Sequence, residues 1–418
     1  MVNEIKIRGI KMDISRLSAY ADLIVKKGVN PDPGQDVIII AGLDQVEFVR
    51  MVVEKCYLAG AGKVVIDWVD MACAKLDQLH QTLERLSVVE PWELAKLQWR
   101  VEKLPALLWL DSDDPDGMEG IDAGKRAKAQ MARFPVIKPL REAMENRHQW
   151  CIAGVPGKEW ARKVFPGVPD DEAVEKLWEA ILAAARANGD PIANWNEHNA
   201  AIHRRTEMLN KYNFCELQYR SSNGTNLRVG LIPQGVFAGA AEKDLSGREF
   251  NPNIPSEEIF TSPMRGKAEG IVYSTKPLSW QGSMIEDFSI RFENGRAVEV
   301  TARRGKEVLE KMIAMDEGAA YLGECALIDY NSPINNTGIL FYSTLYDENA
   351  SCHLALGRGF ENCIDNFSKY THQEMREMGI NDSMIHVDFM IGSADLDITG
   401  ITPDGKEVAV FRNGSWCF

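Results

Sequence analysis

Short apolar runs alternate with helical patterns along the first half of the chain. Four of them have the length and composition of buried strands: VIII at 37–40, KVVIDW at 63–68, ALLWLD at 106–111 and WCIAGV at 150–155. Between the first two, QVEFVRMVVEKCYL carries apolar residues at helical spacing and ends before Gly60 and Gly62. This alternation predicts an α/β N-terminal domain with a mainly parallel sheet.

The pattern changes in the second half, where strand-like segments follow one another directly. Examples are TNLRVGLI and the segment DFSIRFENGRAVEVTA, in which Asn294-Gly295 suits a type I′ hairpin turn. A second hairpin is indicated around Pro403-Asp404-Gly405. We therefore expect an α+β C-terminal domain rich in antiparallel strands.

The length of 418 residues exceeds that of one ordinary domain, so two domains are expected. The stretch from 158 to 210 reads as helical and separates the two patterns. We place the boundary at its end, which gives an N-terminal domain of residues 1–210 and a C-terminal domain of residues 211–418.

Composition narrows the classes of function. A formal net charge of −14 and the lack of a basic stripe argue against nucleic acid as a partner. No run approaches the roughly 20 apolar residues that span a bilayer, and MVNEIKIRGIKMD lacks the apolar region of a signal peptide, so a cytoplasmic protein without membrane contact is expected. The eight cysteines are scattered singly, which predicts reduced thiols and leaves histidines and carboxylates as the available metal ligands.

His386 and Asp388 interrupt an otherwise apolar segment, IHVDFMIG at 385–392. In a strand, residues two apart share a face, so an imidazole and a carboxylate would point to the same side. Burial of both without a partner is unfavourable. A pair of metal ligands and a structural His–Asp hydrogen bond are both consistent with this pattern.

Weaker candidates surround this pair. His353 precedes the apolar run LALG, Glu324 lies in the strand-like segment GECALID, and only one of Glu257 and Glu258 can face a given site in an extended chain. Taken singly, a structural histidine and solvated carboxylates explain these residues better than metal ligation does.

Four blocks in the C-terminal half resemble the metal-site blocks of the aminopeptidase T and aminopeptidase S family of dinuclear metallopeptidases: IPSEEIFTSP, GECALID, DENASCHLALG and IHVDFMIG. The resemblance extends to LIVKKGVNPDPGQDVII and KVVIDW in the N-terminal half. It implies that the metal ligands are Glu258, Glu324, His353, His386 and Asp388. This set suits two divalent ions such as zinc, cobalt or manganese.

The resemblance implies an aminopeptidase that removes the N-terminal residue of short peptides, with water activated between two metals and Glu324 as base as well as ligand. It also implies a homodimer. The family has an active-site tyrosine seven residues after the histidine of the third block, and Phe360 occupies that position here. Phenylalanine lacks the hydroxyl, so we expect slower peptidase activity, a substitute hydroxyl from Tyr342, Tyr346 or Tyr370, or a different substrate.

One rival reading is an Fe(II)-dependent ring-cleaving dioxygenase, because His353, His386 and Asp388 could form a triad of two histidines and one carboxylate. Such a site does not need Glu258 and Glu324. A second alternative is a repurposed relative with weak or no peptidase activity, which the Phe360 substitution would explain.

Overall fold

The computed structural model describes residues 13–280 and 283–418, which divide into two compact units. The first contains residues 13–197, Ala241–Ser256 and Leu340–Leu345, and the second contains His198–Ala240, Glu257–Ile339 and Tyr346–Phe418. The predicted boundary at residue 210 falls within helix Pro191–Tyr212. The domain limits 1–210 and 211–418 remain a prediction. The segment MVNEIKIRGIKM, used above to argue against a signal peptide, lies outside the described residues.

A parallel sheet forms the centre of the first unit. Its strands lie in the order Val64–Val69, Val37–Gly42, Ala106–Asp111, Trp150–Gly154 and Asn253–Ile254. All four predicted runs form strands, and Val37 lies opposite both Val64 and Ala106 in parallel register. The expected α/β N-terminal fold is confirmed. The short strand Asn253–Ile254 at the edge had no signal in the sequence.

Three helices of this unit bury an apolar stripe: Ile14–Leu23, Val46–Leu58 and Asp170–Ala184. Phe48 is the clearest contact, with its ring centroid 5.8 Å from that of Tyr20 and 5.3 Å from that of Trp178, so three helices meet at one aromatic cluster. The helices of this unit are Ile14–Leu23, Val46–Leu58, Met71–His80, Leu83–Leu86, Pro91–Lys103, Ala123–Glu142, Lys158–Val164 and Asp170–Ala184, and Pro191–Tyr212 continues into the second unit.

The larger antiparallel sheet belongs to the second unit. Its strands lie in the order Leu278–Trp280, Ser283–Glu293, Pro263–Tyr273, Asn226–Leu231, Glu216–Arg220, Asp397–Ile401, Glu407–Arg412 and Ser415–Trp416, and Arg296–Arg304 pairs with Ser283–Glu293. Asn294 and Gly295 have φ values of 50° and 76°, as a type I′ turn requires. Gly405, in the other predicted turn, has φ of 82°.

The smaller antiparallel sheet of the second unit has the strand order His386–Met390, His353–Gly357, Leu322–Leu327, Ile259–Thr261 and Ala238–Gly239. One of its faces packs into a hydrophobic core through Leu354, Leu356 and Phe389. These two sheets confirm the expected C-terminal region rich in antiparallel strands.

The remaining elements are short. They include helices Lys306–Ile313, Thr344–Asp347 and His372–Met378, the π-helical turn Ile24–Val29, the 3₁₀ turn Glu348–Ala350, and the hairpin of Glu242–Lys243 with Glu249–Phe250. All eight cysteines lie among the described residues and are free thiols. Within the described part of the chain, no helix combines the length and apolar character needed to cross a membrane.

Candidate metal centre

The register of the smaller antiparallel sheet determines which side chains share a face. Glu324 and Asp388 both lie opposite Ala355, and His386 lies opposite Gly357. His353 lies opposite Ala326, two residues beyond Glu324, so its side chain points to the same side. Glu258 stands two residues before Phe260, whose partner is Ala326. We call this side of the sheet the ligand face.

The residues between these polar side chains are small. Ala355 lies between Glu324 and Asp388 in the cross-strand row, and alanine and glycine stand opposite the two histidines. Small side chains leave space above the sheet, so the long glutamates and imidazoles can lean toward one another there.

The predicted ligands meet in two overlapping groups. In the first, His353 Nε2 lies 3.5 Å from Glu258 Oε2, and in the second, His386 Nε2 lies 3.1 Å from Glu324 Oε2 and 3.2 Å from Asp388 Oδ1. Within each group, the candidate ligand atoms all lie within 4.8 Å of one another. Glu324 belongs to both groups. All five predicted ligands therefore come together, although their role as ligands remains a prediction.

Backbone carbonyl groups orient both imidazoles. His353 Nδ1 is 2.8 Å from the carbonyl oxygen of Glu348, and His386 Nδ1 is 2.7 Å from that of Arg358. A carbonyl only accepts hydrogen bonds, so Nδ1 carries the proton in each ring and Nε2 faces the carboxylates. Metal-binding histidines are commonly held in this way.

Burial of the ligand face shifts the pKa values of its ionisable side chains. His353, Glu324 and Asp388 are 1%, 3% and 8% exposed. Burial lowers the pKa of His386, but Asp388 and Glu324 outweigh it and hold this pKa well above its ordinary value. Burial raises the pKa of Asp388, yet His386 and His353 bring it to about 2.

One buried acceptor is left over in this arrangement. Among the described residues, no donor makes a hydrogen bond of normal geometry to Asp388 Oδ1. His386 Nε2 lies 3.2 Å from this oxygen. Buried carboxylate oxygens without hydrogen bonds are unfavourable unless a cation compensates for them. Together with the His and carboxylate inventory, this atom makes the site fit divalent metal ions.

The chain was compared with known proteins. Residues 14–416 match the family described as thermophilic metalloprotease (M29). The chain is 40% identical to aminopeptidase AmpS of Bacillus subtilis and 38% identical to aminopeptidase T of Thermus thermophilus, in each case over 96% of this chain and 98% of the relative. The solved structure of wild-type AmpT from Thermus thermophilus superimposes with a TM-score of 0.88 at 37% identity, over 97% of this chain and 100% of that one.

The chain belongs to the M29 metalloprotease family. The resemblance drawn from the four sequence blocks is thereby confirmed. A metalloprotease needs a metal, and the two groups that share Glu324 bring together side chains of the kind that can hold one.

Phe360, at the position expected for an M29 tyrosine, lies beside the ligand groups. Its ring centroid is 4.8 Å from that of His386 and 5.4 Å from that of Phe260. Ser262 fixes its backbone, because the Phe360 N–H donates to Ser262 Oγ over 2.7 Å. The ring therefore stands next to His386, a member of the second ligand group.

None of the three tyrosines considered as substitutes is placed at Phe360 by a described contact. Tyr346 is fully buried, and Tyr370 packs in a separate apolar cluster with Ile232 and Met375. Tyr342 belongs to the first unit, where the Lys163 ammonium lies 5.2 Å from its ring centroid. A substitute hydroxyl from one of these three tyrosines stays a prediction.

Sequence reasoning missed Glu348, which precedes His353 by five residues. Its pKa is raised well above the ordinary value by burial and by the neighbouring carboxylates of Asp388, Glu258 and Glu324. Glu348 in turn helps to lower the pKa of Asp388. The only local signal was its place in the block DENASCH, where a solvated charge was an equally good explanation.

Two other histidines stay outside the site. His198 and His203 lie on helix Pro191–Tyr212, and the exposed His203 Nε2 is 3.3 Å from Glu207 Oε1 four residues later. Their spacing of five residues does not match a metal-binding helix face.

Proposed function

We propose that this metal-dependent aminopeptidase removes the N-terminal residue of short peptides and that its site holds two divalent ions, zinc, cobalt or manganese. The observation that carries the proposal is the pair of ligand groups sharing Glu324 on one sheet face. A carboxylate common to both groups suits two ions held side by side. The aminopeptidase relatives support the peptide substrate.

The described side chains divide naturally between two ions. Glu258, Glu324 and His353 would hold one, and Glu324, His386 and Asp388 would hold the other. Glu348 offers a further carboxylate beside Asp388. Two such ions would supply a water nucleophile at neutral pH and polarise the scissile carbonyl group.

The chain's own residues would move the protons. We assign Glu324 as the base, because its carboxylate is nearly buried and lies 3.1 Å from His386 Nε2 at the centre of both groups. The second proton transfer, to the leaving amine, requires a group that can hold a proton near neutral pH. Glu348 suits this step, since its neighbours favour the protonated form.

The Phe360 ring sets the expected level of activity. It occupies space next to His386 but offers no hydrogen bond to the oxyanion that develops on the substrate. Loss of one such donor costs on the order of 3 kcal/mol in the transition state. We therefore propose a slow aminopeptidase.

By analogy with its family, the enzyme would be a homodimer that acts on short, unstructured peptides in the cytoplasm. The net charge of −14 is consistent with a protein that does not use nucleic acid or an anionic membrane surface as a partner.

Metal analysis and a substrate panel test this function together. The purified chain would be stripped with a chelator, reloaded with zinc, cobalt, manganese or iron, and assayed on aminoacyl nitroanilides. We expect two ions per chain and activity that returns with the metal. One iron per chain with oxygen consumption would instead support the dioxygenase, and failure to take up any metal would contradict both.

Glu324→Gln tests the assigned base. Glutamine retains an oxygen ligand but cannot accept the proton. Because Glu324 is shared by both groups, metal binding should weaken, and in protein saturated with metal we expect turnover to fall by roughly 100-fold or more. Activity that survives this substitution in a metal-loaded protein would refute the role of Glu324.

A further inference from the structure

Asn349 is a fully buried amide in the turn Glu348–Ala350, directly beside the ligand groups. Its burial is informative because an asparagine side chain has hydrogen-bonding capacity that must be met inside the protein. The contacts of its amide connect segments that are distant in sequence.

The first contact reaches the segment that carries Glu258. Asn349 Oδ1 accepts a hydrogen bond from the Glu257 N–H over 2.8 Å, across 92 residues of sequence. Glu257 and Glu258 directly precede the strand Ile259–Thr261. The Asn349 bond supplies an anchor for this part of the chain.

The second contact reaches the carboxylate next to Asn349. Asn349 Nδ2 donates to Glu348 Oε1 over a longer distance of 3.4 Å. The Glu257 N–H fixes the orientation of the amide, because it requires an acceptor and so leaves Nδ2 facing Glu348.

The same turn orients a third candidate ligand. The carbonyl oxygen of Glu348 lies 2.8 Å from His353 Nδ1. The turn Glu348–Ala350 therefore contacts Glu348 and His353 directly and the Glu258 segment through Asn349. The neighbouring strand His386–Met390, which carries His386 and Asp388, also packs against this turn.

We propose that Asn349 is a positioning residue of the metal centre, which holds Glu258 and Glu348 at the separation that two ions require. The inference rests on the proposed function. An amide suits this role better than a carboxylate, because it donates to Glu348 without adding another negative charge beside Glu258, Glu324 and Asp388.

The experiment is a metal titration of the full-length chain. Cobalt binding to the chelator-treated protein would be followed by visible absorption, zinc affinity by competition with a chromophoric chelator, and kcat and KM on an aminoacyl nitroanilide. Asn349→Ala removes both hydrogen bonds. We expect metal affinity to fall roughly 10–100-fold, the usual cost of losing an outer partner of a metal ligand, with an altered cobalt spectrum and a larger change in kcat than in KM.

Asn251→Ala is the matched control. Asn251 is also almost fully buried and donates from Nδ2 to the Lys27 carbonyl oxygen, but it belongs to the first unit. We expect a comparable loss of thermal stability with metal affinity within about 2-fold of wild type, which is the result for a purely structural asparagine. An Asn349→Ala protein that behaves like Asn251→Ala would overturn the inference.

Asn349→Asp separates the two bonds and covers the case in which Asn349→Ala fails to fold. Aspartate keeps an acceptor for the Glu257 N–H but opposes Glu348 with a second carboxylate. We expect the affinity for one of the two metal ions to fall and the affinity for the other to remain near that of the wild type. Two equivalents of wild-type affinity would overturn the inference, whereas a wild-type protein that binds no metal would refute the proposed function instead.

Discussion

The two faces of the smaller antiparallel sheet have opposite chemistry although they are built from the same strands. Glu324, His353, His386 and Asp388 point to the ligand face. Their sequence neighbours Cys325, Leu354, Val387 and Phe389 point the other way and join the hydrophobic core. Because side chains alternate along a strand, one stretch of sequence can provide both stability and chemistry.

The two faces also differ in how they affect folding. Apolar side chains on the core face stabilise the fold as they leave water, at roughly 25 cal/mol per Å². The ligand face buries several carboxylates near one another, which opposes folding until a cation compensates for them. The core face must therefore hold the ligand face in place.

The largest effect is expected from the adjacent residues Glu258 and Glu257. Glu258→Gln removes a carboxylate of the first ligand group, so activity should fall at least roughly 100-fold, more than the loss of an outer partner costs. Glu257→Gln is the matched control and should stay within about 3-fold, because the backbone N–H that anchors it is retained. Metal content and nitroanilide turnover measure both, and equal losses would contradict the assignment of Glu258.

A substitution on the core face should lower the stability of the protein and leave its metal affinity nearly unchanged. Leu354 is fully buried next to His353, and Leu354→Ala should lower the free energy of unfolding by about 2–5 kcal/mol through lost burial and a cavity. Denaturant unfolding measures this change. Metal affinity of the folded protein should change by less than about 3-fold, and a loss of metal without a loss of stability would break the distinction between the faces.

Phe360→Tyr restores a hydroxyl beside His386 on the ligand-face side. If the missing donor limits the rate, kcat on aminoacyl nitroanilides should rise by up to about 100-fold, equivalent to about 3 kcal/mol. Phe360→Leu is the control that removes the ring without adding a donor. Unchanged or lower turnover in the tyrosine variant would exclude the slow-peptidase explanation.

Metal binding should release protons. The raised pKa of His386 means that its imidazole is protonated near neutral pH in the metal-free protein, whereas a ligand must be neutral. The apparent metal affinity should therefore increase by up to about tenfold per pH unit below that pKa. Calorimetry in two buffers of different ionisation enthalpy counts the protons, and zero release between pH 6 and 7 would contradict the charge state given to His386.

The smallest effect concerns the metal-free protein. Because the pKa of Glu348 is raised, its ionised form destabilises the fold at pH values above its ordinary pKa. Glu348→Gln should therefore raise the melting temperature in the presence of a chelator at pH 7.5, by about 2–4 °C for each 1 kcal/mol relieved, and lower it in excess zinc. Thermal unfolding with and without metal measures both changes in melting temperature. A lower melting temperature in both conditions would refute the prediction.

Local sequence pattern predicted most of the strands well. The run ALLWLD forms the strand Ala106–Asp111, and Asn294-Gly295 forms the hairpin turn. These features could be predicted because strand alternation and turn conformation depend on a few neighbouring residues. The edge strand Asn253–Ile254 could not, because two residues carry no periodic signal and pair only when a distant strand is available.

The sequence by itself determined that His386 and Asp388 share one face, and a family resemblance extended the set of ligands to Glu258, Glu324 and His353. Only the tertiary structure decided that these side chains converge in two groups around Glu324, that Glu348 joins them, and that Asn349 anchors the Glu258 segment. The physical reason is range: alternation acts between neighbouring residues, whereas convergence depends on the register of strands joined by long stretches of chain.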